Sequence, residues 1–428
     1  MAGSGFFDLA QAFPPDWEQM PFWTNYRRVK RPARGDEELL SVYRDHGVIR
    51  KSDRDDNFNK PSDDLTTYQV VESGDLVVNK MKAWQGSVAV SRLNGIVSPA
   101  YFVFSPVQSK SPRFMHYLLR SSPYIAAYRA GSKGIRPNQW DLDPDILRTF
   151  PLPSPPIELQ QRIAGFLDRE TAEIDAFIAD QEELIGLLSE RRAATIRHAV
   201  TKGLDPSVPM KDSGVEWLGA VPEHWHVTRL SRFFSVTLGK MLDVGKTAPP
   251  GTVVLPYIRA ANIQESGLDT ASVNEMAFTA AEVRNLDIRA GDLLVVEGGA
   301  VGVNVHMDAS LEGWSFQKTV NRVRPRTSSA SSRFLGFVID ALRWSGVIDM
   351  VANKSTIAHL TAEKLERLVV GFPPPREQRY IESYLLSETA EIDAVIADAR
   401  EAISLSRERR AALISAAVTG KIDVREAA

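Results

Sequence analysis

The sequence predicts a mixed α/β (α+β) protein in which two α/β domains are separated by two long, antiparallel coiled-coil helices. An internal repeat carries this prediction. Glu-Thr-Ala-Glu-Ile-Asp-Ala at 170–176 recurs 218 residues later at 388–394, and Glu-Arg-Arg-Ala-Ala at 190–194 recurs at 408–412. The longer segments before these two copies correspond only loosely. A period of this length indicates a two-unit tandem duplication with a pseudo-twofold axis and excludes a solenoid.

The repeated segments have the features of long helices. Ser154 is followed by Pro155 and Pro156, which suits a helix start, and Gly203 ends a proline-free stretch. About 65 Å of helix fits between them. Apolar residues recur in steps of four and three, which favours a seam between the two copies. The predicted seam comprises Ile163, Leu167, Ile174, Phe177, Leu184 and Leu188 in the first copy and Ile381, Leu385, Ile392, Val395, Ala402 and Leu413 in the second. Two independent helices, each packed on its own domain, are the alternative.

The longer, variable segments combine strand-like and helical runs. Strands are predicted in 75–79, 95–104 and 292–297, and helices in 113–129 and 332–351. Gly74-Asp75 and Gly291-Asp292 indicate tight turns before equivalent strands. The predicted organisation is a first α/β domain at 1–153, a first spacer helix at 154–203, a linker at 204–214, a second α/β domain at 215–371, and a second spacer helix with a tail at 372–428.

Two sets of loops, each with one member in either variable segment, combine basic residues with Asn, Gln, Ser or aromatic side chains; the member without them is Gly298–Gly302. One follows the Gly-Asp strand, and the other precedes the last strand of the segment. Basic residues suit phosphate contacts, and Asn, Gln and Arg suit base edges. Such loops are common, and their equivalent placement in both repeats is what favours a nucleic-acid role. The candidates are Lys80, Lys82, Trp84, Gln85, Lys133, Arg136, Asn138 and Gln139 in the first segment and Asn353, Lys354, Ser355 and Thr356 in the second.

Composition excludes several classes of protein. The chain has no cysteine, which excludes disulfides, thiolate metal sites and cysteine nucleophiles. It contains neither an apolar run long enough for a membrane span nor a signal-peptide pattern, so we expect a soluble cytoplasmic protein with no membrane partner. The net charge is −3, with acidic residues concentrated in the two repeated segments, which says little about partners.

Motifs that resemble active sites are incomplete. Gly239 and Gly245-Lys-Thr247 have the wrong spacing for a phosphate-binding loop. Ser154-Pro-Pro-Ile157 lacks the aromatic residue of an amino-methyltransferase, and His224 and His226 lack a third metal ligand. Asp75 with Lys80 is a poor nuclease pattern because Asn79 stands where a metal-binding acid is needed. We therefore predict no catalytic and no metal-binding residues.

Several motifs together resemble the specificity subunits of type I restriction-modification systems. They are Pro-Pro-x-x-x-Gln at 155–160, with Gln378 in the repeat, the duplicated helices, Gly214–Trp225, the two Gly-Asp-Leu turns, Pro256–Asn262 and Gly95–Tyr101. The resemblance covers nearly the whole chain. Only the start of the first domain departs from the pattern, since Pro14-Pro-Asp-Trp17 is a partial match to Val221–Trp225. Arg259 and Asn262 of the 256–262 element, and Lys318, join the DNA-binding candidates.

The resemblance implies a non-catalytic subunit whose two target-recognition domains each read one half of a bipartite double-stranded DNA target. The helices would space these domains and dock two modification subunits, which would hold S-adenosylmethionine and methylate adenine. No cofactor is expected on this chain, and restriction or translocase subunits are further candidate partners. The alternatives are a stand-alone nuclease with a divergent active site and a duplicated protein-binding scaffold.

Overall fold

The computed structural model describes residues 7–34, 36–44, 46–54, 64–136, 139–242, 250–352 and 358–424. The chain divides into two compact units, which we call unit 1 (Met1–Glu182 with Arg400–Ala428) and unit 2 (Glu183–Ala399). Each unit contains one variable segment, the first part of one long helix and the last part of the other. The predicted domain boundaries instead follow the repeat and keep each helix whole.

The helices, in chain order, are α1 (Phe7–Gln11), α2 (Phe22–Asn25), α3 (Pro112–Leu118), α4 (Ser122–Ala130), α5 (Pro144–Thr149), α6 (Ile157–Lys202), α7 (Ala280–Asn285), α8 (Ser332–Trp344), α9 (Val347–Ala352), α10 (Ala362–Arg367) and α11 (Pro375–Val418). The long helices α6 and α11 occupy the two repeated segments, as predicted. Ser111 and Ser331 cap α3 and α8 by accepting a backbone hydrogen bond from the third residue that follows.

The strands, in chain order, are β1 (Glu18–Pro21), β2 (Tyr26–Val29), β3 (Leu40–Tyr43), β4 (Gly47–Arg50), β5 (Gln69–Val71), β6 (Leu76–Asn79), β7 (Val88–Val90), β8 (Gly95–Val97), β9 (Tyr101–Pro106), β10 (Ser132–Arg136), β11 (Gln139–Leu142), β12 (Pro151–Ser154), β13 (Met210–Asp212), β14 (Ala220–Pro222), β15 (His226–Arg229), β16 (Phe234–Leu238), β17 (Val253–Ile258), β18 (Ile263–Gln264), β19 (Gly267–Leu268), β20 (Asn274–Phe278), β21 (Leu293–Val296), β22 (Asn304–His306), β23 (Ser315–Phe316), β24 (Val320–Pro325) and β25 (Val369–Phe372).

Equivalent antiparallel sheets form the centre of the two units. In unit 1 the strand order is β2-β9-β6-β7, and in unit 2 it is β16-β24-β21-β22. The Gly-Asp turns precede β6 and β21, which are buried on both faces. Strand β6 pairs Asn79 with Tyr101, and β21 pairs Val296 with Val320. The two registers therefore make position 80 equivalent to position 297 and position 102 equivalent to position 321.

The Pro-Pro-x-x-x-Gln motif anchors each long helix to its own unit. Gln160 is buried; its Oε1 accepts from the Ser111 backbone N–H (3.0 Å), and its Nε2 donates to the Pro155 carbonyl (2.8 Å). Gln378 repeats this pattern with Ser331 (2.8 Å) and Pro373 (2.7 Å). A buried amide with both ends satisfied fixes the helix start. The motif has a structural role in both units.

Pro14–Trp17 is equivalent to Pro222–Trp225, a point that the sequence left open. In both units the tryptophan directly precedes a short strand, β1 or β15, that pairs with the strand before the long helix, β12 or β25. A Cβ at Gly420 would lie 3.2 Å from the Trp17 ring, and one at Gly203 would lie 3.5 Å from the Trp225 ring. Each tryptophan thus packs on the glycine that ends a long helix.

The two long helices run antiparallel in unit 1. Arg410 Nε lies 2.8 Å from Asp175 Oδ1, and Arg407 Nη2 lies 2.9 Å from Glu182 Oε1, so a rising number on α6 meets a falling number on α11. In unit 2, Arg192 Nε lies 2.9 Å from Asp393 Oδ1, and the core joins Ile196 and Val200 to residues 381 and 385. The helices therefore pair with each other, as predicted.

The seam agrees with the prediction near the helix starts and departs from it farther along. Ile163, Leu167, Ile174, Ile381, Leu385 and Ile392 are buried, and Leu188, Ala402 and Leu413 are partly buried. Phe177, Leu184 and Val395 are exposed, which makes their assignment to the seam wrong. The seam takes the next residue instead, with Ile178 and Ile185 partly buried and Ile396 and Ile403 buried. Steps of three and four cannot be ordered from apolar spacing when both candidates are apolar.

A partly buried carboxyl in unit 2, that of Asp340, predicts a pH dependence of stability. Burial raises the pKa of Asp340 from 3.8 to about 6, and Arg343 and Arg192 oppose this increase. Asn304 Nδ2 donates to the carboxylate (2.9 Å). Because the folded pKa exceeds the unfolded one, the folded state binds more protons between about pH 4 and 6, and stability falls as pH rises through this window.

Asp340→Asn should therefore raise the melting temperature at pH 7.5 and flatten its dependence on pH. Since 24% of the side chain is exposed, we expect a gain on the order of 1–2 kcal/mol. Thermal unfolding from pH 4 to 8 measures this, with the exposed Asp349→Asn as the control. Equal slopes for wild type and Asp340→Asn would contradict the assignment.

Candidate nucleic-acid interface

In unit 1, the two loops predicted from the sequence meet at one edge of the central sheet. In unit 1, Lys80 follows β6; its backbone N–H donates to the Ala100 carbonyl, and its carbonyl accepts from the Leu142 N–H, both at 3.0 Å. These bonds join the loop after β6 to β11 and to the start of β9. We call this region edge 1. The structure thus brings together the two loops that the sequence singled out.

Edge 1 is basic and aromatic. The Trp84 and Trp140 rings lie 4.9 Å apart, and Trp84 Nε1 donates to the Met81 carbonyl (3.0 Å), which holds the pair in place. An open depression beside Trp140 is lined by Arg129 and Lys133, both exposed. Aromatic faces with flanking cations suit base stacking and phosphate contact.

Lys80 is a half-buried cation within edge 1. Its ammonium donates to the Pro99 carbonyl and lies 4.9 Å from the centroid of the Phe102 ring, over which Arg28 also lies at 4.5 Å. Burial lowers the pKa of Lys80, as do the charges of Arg28 and Lys30, whereas Asp141 raises it. An ammonium carries three N–H donors, so this one keeps donors for a ligand.

The structure describes the side chains of some of the other unit 1 candidates and only the backbone of others. Lys82 and Gln85 are exposed beside Trp84, and Lys133 lies 4.0 Å from Asp143. Arg136 and Gln139 pair through their backbones in the β10–β11 hairpin. Asn138 lies outside the described residues.

The equivalent edge of unit 2, which we call edge 2, has a different chemistry. Glu297 follows β21; its N–H donates to the Thr319 carbonyl, and its carbonyl accepts from the Leu360 N–H, both at 2.8 Å. These are the bonds that Lys80 makes in unit 1. The position therefore carries opposite charges in the two units.

The DNA-binding residues predicted in unit 2 are buried, partly buried or outside the described residues. Asn262 is buried; its Oδ1 accepts from the Arg259 N–H (3.1 Å), and its Nδ2 donates to the Asp269 and Ser272 carbonyls (2.8 and 2.9 Å). This amide is fully used inside its turn, so we assign it to the fold. Arg259 opens the same turn, and Lys318 is partly buried beside Thr319. Asn353, Lys354, Ser355 and Thr356 lie outside the described residues.

Glu297, Asn321 and Thr319 are the residues of edge 2 that sequence reasoning missed. The signal was available, because the Gly-Asp-Leu turns align 217 residues apart and that offset places Glu297 opposite Lys80. Glu297 is acidic, whereas the DNA-binding candidates predicted from the sequence are basic, aromatic or carry an amide or hydroxyl group.

The residues once considered for catalysis serve the fold where they are described. Asp75 is buried and paired with Arg31, and it accepts from the Glu72 N–H (2.9 Å). His224 Nε2 lies 2.7 Å from Glu377, which also accepts from Trp225 Nε1 (3.0 Å). Over the described ranges, no cluster of three or more His, Asp or Glu could hold a metal ion. Gly245–Thr247 lies outside them.

No helix in the described part of the chain is long and apolar enough to cross a membrane.

Comparisons with known proteins place the fold. No protein-family model matches the sequence. A chain from a structure that describes complex assembly and conformational transition of a type I restriction-modification system aligns with a TM-score of 0.64 and 18% identity, over 96% of this chain and 99% of that one. The HsdS subunit from Thermoanaerobacter tengcongensis has a TM-score of 0.49 and 17% identity over 96% and 98% of the two chains. The type I S subunit from M. genitalium has a TM-score of 0.38 and 15% identity over 94% and 96%.

The first of these three alignments has a TM-score well above 0.5 and spans both chains almost completely. The protein therefore has the fold of a chain from a type I restriction-modification system along nearly its whole length.

Proposed function

We propose that this chain is the non-catalytic DNA-specificity subunit of a type I restriction-modification complex, in which each unit reads one half of a bipartite duplex target. The observation that carries the proposal is the pair of equivalent sheet edges with different side chains. A duplicated fold that kept its helix anchors and changed the residues at one edge suits a reader of two different half-sites. The fold shared with a chain of a type I system supports this function.

Edge 1 supplies the parts that DNA contact needs. Exposed Lys82, Lys133 and Arg129 suit phosphates, and exposed Gln85 suits a base edge. Any base flipping and methyl transfer would occur in partner subunits, because flipping requires an active site for the extruded base. We expect the assembly to act in the cytoplasm, where it meets chromosomal DNA.

The exposed apolar residues of the long helices are candidate contacts for two modification subunits that carry S-adenosylmethionine. In unit 1, Phe177 and Leu405 are exposed; in unit 2, their repeat equivalents Val395 and Leu187 are exposed together with Leu184. Apolar side chains left outside a two-helix seam favour further helices as neighbours. Their occurrence at equivalent places fits one partner for each unit. Restriction or translocase subunits would join such a complex.

The direct test of the proposal is a binding-site selection. The chain, purified with the methyltransferase subunits of its own locus, is expected to enrich one split sequence from a random duplex library. Absence of any sequence preference would refute the proposed function. Incubation of the chain alone with DNA and Mg²⁺ or Mn²⁺ tests the nuclease alternative, and we expect no cleavage.

Lys82→Ala and Lys133→Ala should weaken binding of that complex to every duplex by similar factors. Removing one lysine–phosphate interaction lowers the slope of log affinity against log salt by about 1. The control is Arg148→Ala, since Arg148 is exposed on α5, which contacts α2 near the opposite edge of the sheet. Fluorescence anisotropy between about 50 and 300 mM salt measures the slopes. An unchanged slope for both lysine variants would remove them from the interface.

A further inference from the structure

Three unusual features lie together in edge 2: one strained backbone conformation and two buried polar atoms without a hydrogen-bond partner. Thr319 has a φ of +92°, and among the described residues no other non-glycine has a positive φ. Glu297 is 4% exposed, and its Oε2 is buried with no hydrogen-bond partner. Asn321 is fully buried, and its Oδ1 also has no partner. Such defects cost free energy and persist mainly at functional sites.

The three residues form one local arrangement. The Thr319 carbonyl accepts the N–H of Glu297, so the strained residue positions the carboxylate-bearing one. Alternation along β21 places Glu297 on the same sheet face as Val295, and Val295 pairs with Asn321. In unit 1 the equivalent residues, Lys80 and Phe102, are in contact. Glu297 and Asn321 are therefore neighbours on one face at the end of the strand.

Edge 2 contains two hydrogen-bond acceptors, Glu297 Oε2 and Asn321 Oδ1, that have no donor from the protein. The Glu297 carboxylate only accepts hydrogen bonds, and the free atom of Asn321 is its carbonyl oxygen, because Nδ2 already donates to Leu360 (2.9 Å). A ligand that fits must supply hydrogen-bond donors, and on the edges of DNA bases these donors are N–H groups. On DNA, the donors that an acidic side chain reads in the major groove are the exocyclic amino groups of cytosine N4 and adenine N6.

We propose that Glu297 is a base-specificity residue of unit 2 that selects an amino-bearing base, with Asn321 and Thr319 as positioning residues. Lys80, at the same place in unit 1, selects an acceptor edge such as guanine O6 and N7. The exchange of a donor for an acceptor at one equivalent position makes the two half-sites differ. This inference rests on the proposed function and names the base chemistry of its site.

The test uses the complex with its methyltransferase subunits and a duplex library in which both half-sites are randomised. Glu297→Met removes both acceptor oxygens with little change of length. We expect it to reduce the preference at one base pair of the second half-site by about tenfold or more, and to leave the first half-site unchanged. Lys80→Met should do the reverse. The identity of the affected base pair distinguishes cytosine from adenine.

Stability provides a second readout that does not involve DNA. A carboxylate without a partner contributes nothing that Met would remove, so the melting temperature of Glu297→Met should equal or exceed that of wild type. Glu312→Met, at an exposed carboxylate of the same unit, is the matched control. A lower melting temperature with unchanged sequence preference would show a structural water at Glu297 and overturn the proposal.

Equal weakening at every base pair would also overturn it, because Glu297 would then support binding without discrimination. Both of these outcomes leave the proposed function standing, provided that wild type selects a split sequence. If wild type selects none, the proposed function itself fails before any variant is compared.

Discussion

Leu167→Asp is expected to lower the free energy of unfolding by about 4–5 kcal/mol, combining the loss of a buried leucine with the burial of a charge. Leu167 is 0% exposed and lies in the unit 1 core, where the first turns of α6 pack with Ala417 and Val418 at the end of α11. A carboxylate there would lie among apolar side chains and away from solvent. Thermal and urea unfolding of the purified chain measure the loss.

Phe177→Asp is the matched control for this prediction. It lies ten residues later on the same helix, the sequence assigned it to the same seam, and the structure leaves it 44% exposed. We expect a change within about 0.5 kcal/mol, as for surface positions generally. If both variants lose the same stability, then Phe177 belongs to the seam and the observed register is wrong. A loss confined to Leu167→Asp supports the seam that the structure shows.

Asp292→Ala is expected to cost about 2–3 kcal/mol, because the partly buried Arg324 loses its two-point partner and keeps Asp287, 3.1 Å away. Asp292 is 1% exposed and accepts from Arg324 Nε (2.6 Å) and Nη2 (2.7 Å), a two-point pair, and from the Arg289 N–H (2.7 Å). The hydrogen bond to Asp292 raises the pKa of Arg324. Without Asp292 the guanidinium still stays charged, because arginine is not deprotonated in proteins. The Gly-Asp-Leu motif thus supplies the buried carboxylate of an ion pair whose arginine is partly exposed.

The control for Asp292→Ala is Glu312→Ala, an exposed carboxylate of the same unit, for which we expect less than about 0.5 kcal/mol. Asp75→Ala tests the equivalent pair with Arg31 in unit 1. Urea unfolding monitored by circular dichroism gives both values. If Asp292→Ala lowered the free energy of unfolding no more than Glu312→Ala does, the Gly-Asp-Leu motif would stabilise the protein through its turn and not through the ion pair.

High ionic strength should weaken the surface ion pairs of the helices more than the pair of Asp292 with Arg324. Asp175–Arg410 and Glu182–Arg407 involve side chains that are 29–62% exposed, and salt screens both pairs. The pairing of Asp292 with Arg324 is shielded from solvent on the carboxylate side. The antiparallel register of the helices therefore rests on the apolar seam more than on its ion pairs.

Features that depend on short-range pattern were predictable from the sequence. The repeat located both long helices, since periodicity and the Pro-Pro and Gly boundaries are local signals. The Gly-Asp turns located β6 and β21 for the same reason. The sequence also singled out the two loops of unit 1, because each follows or precedes a predicted strand, but it did not predict that they are neighbours.

Features that depend on the tertiary partner of a side chain were not predictable from the sequence. The seam passes Phe177 for Ile178 and Val395 for Ile396, a choice between adjacent apolar residues that only packing against the other helix makes. Asn262 resembled a base reader, whereas its amide holds a turn. In the sequence Asp75 resembles an acidic residue of a nuclease, whereas in the structure it forms an ion pair with Arg31.

The sequence by itself determined that this protein is a duplication with two long helices, because repeats and helical periods are written along the chain. Only the tertiary structure decided what position 80 and position 297 share. The 217-residue offset of the Gly-Asp-Leu turns already aligns Lys80 with Glu297 in the sequence. Only the structure shows that both residues lie at the same strand end, because it joins one to Ala100 and Leu142 and the other to Thr319 and Leu360, which are far away in sequence.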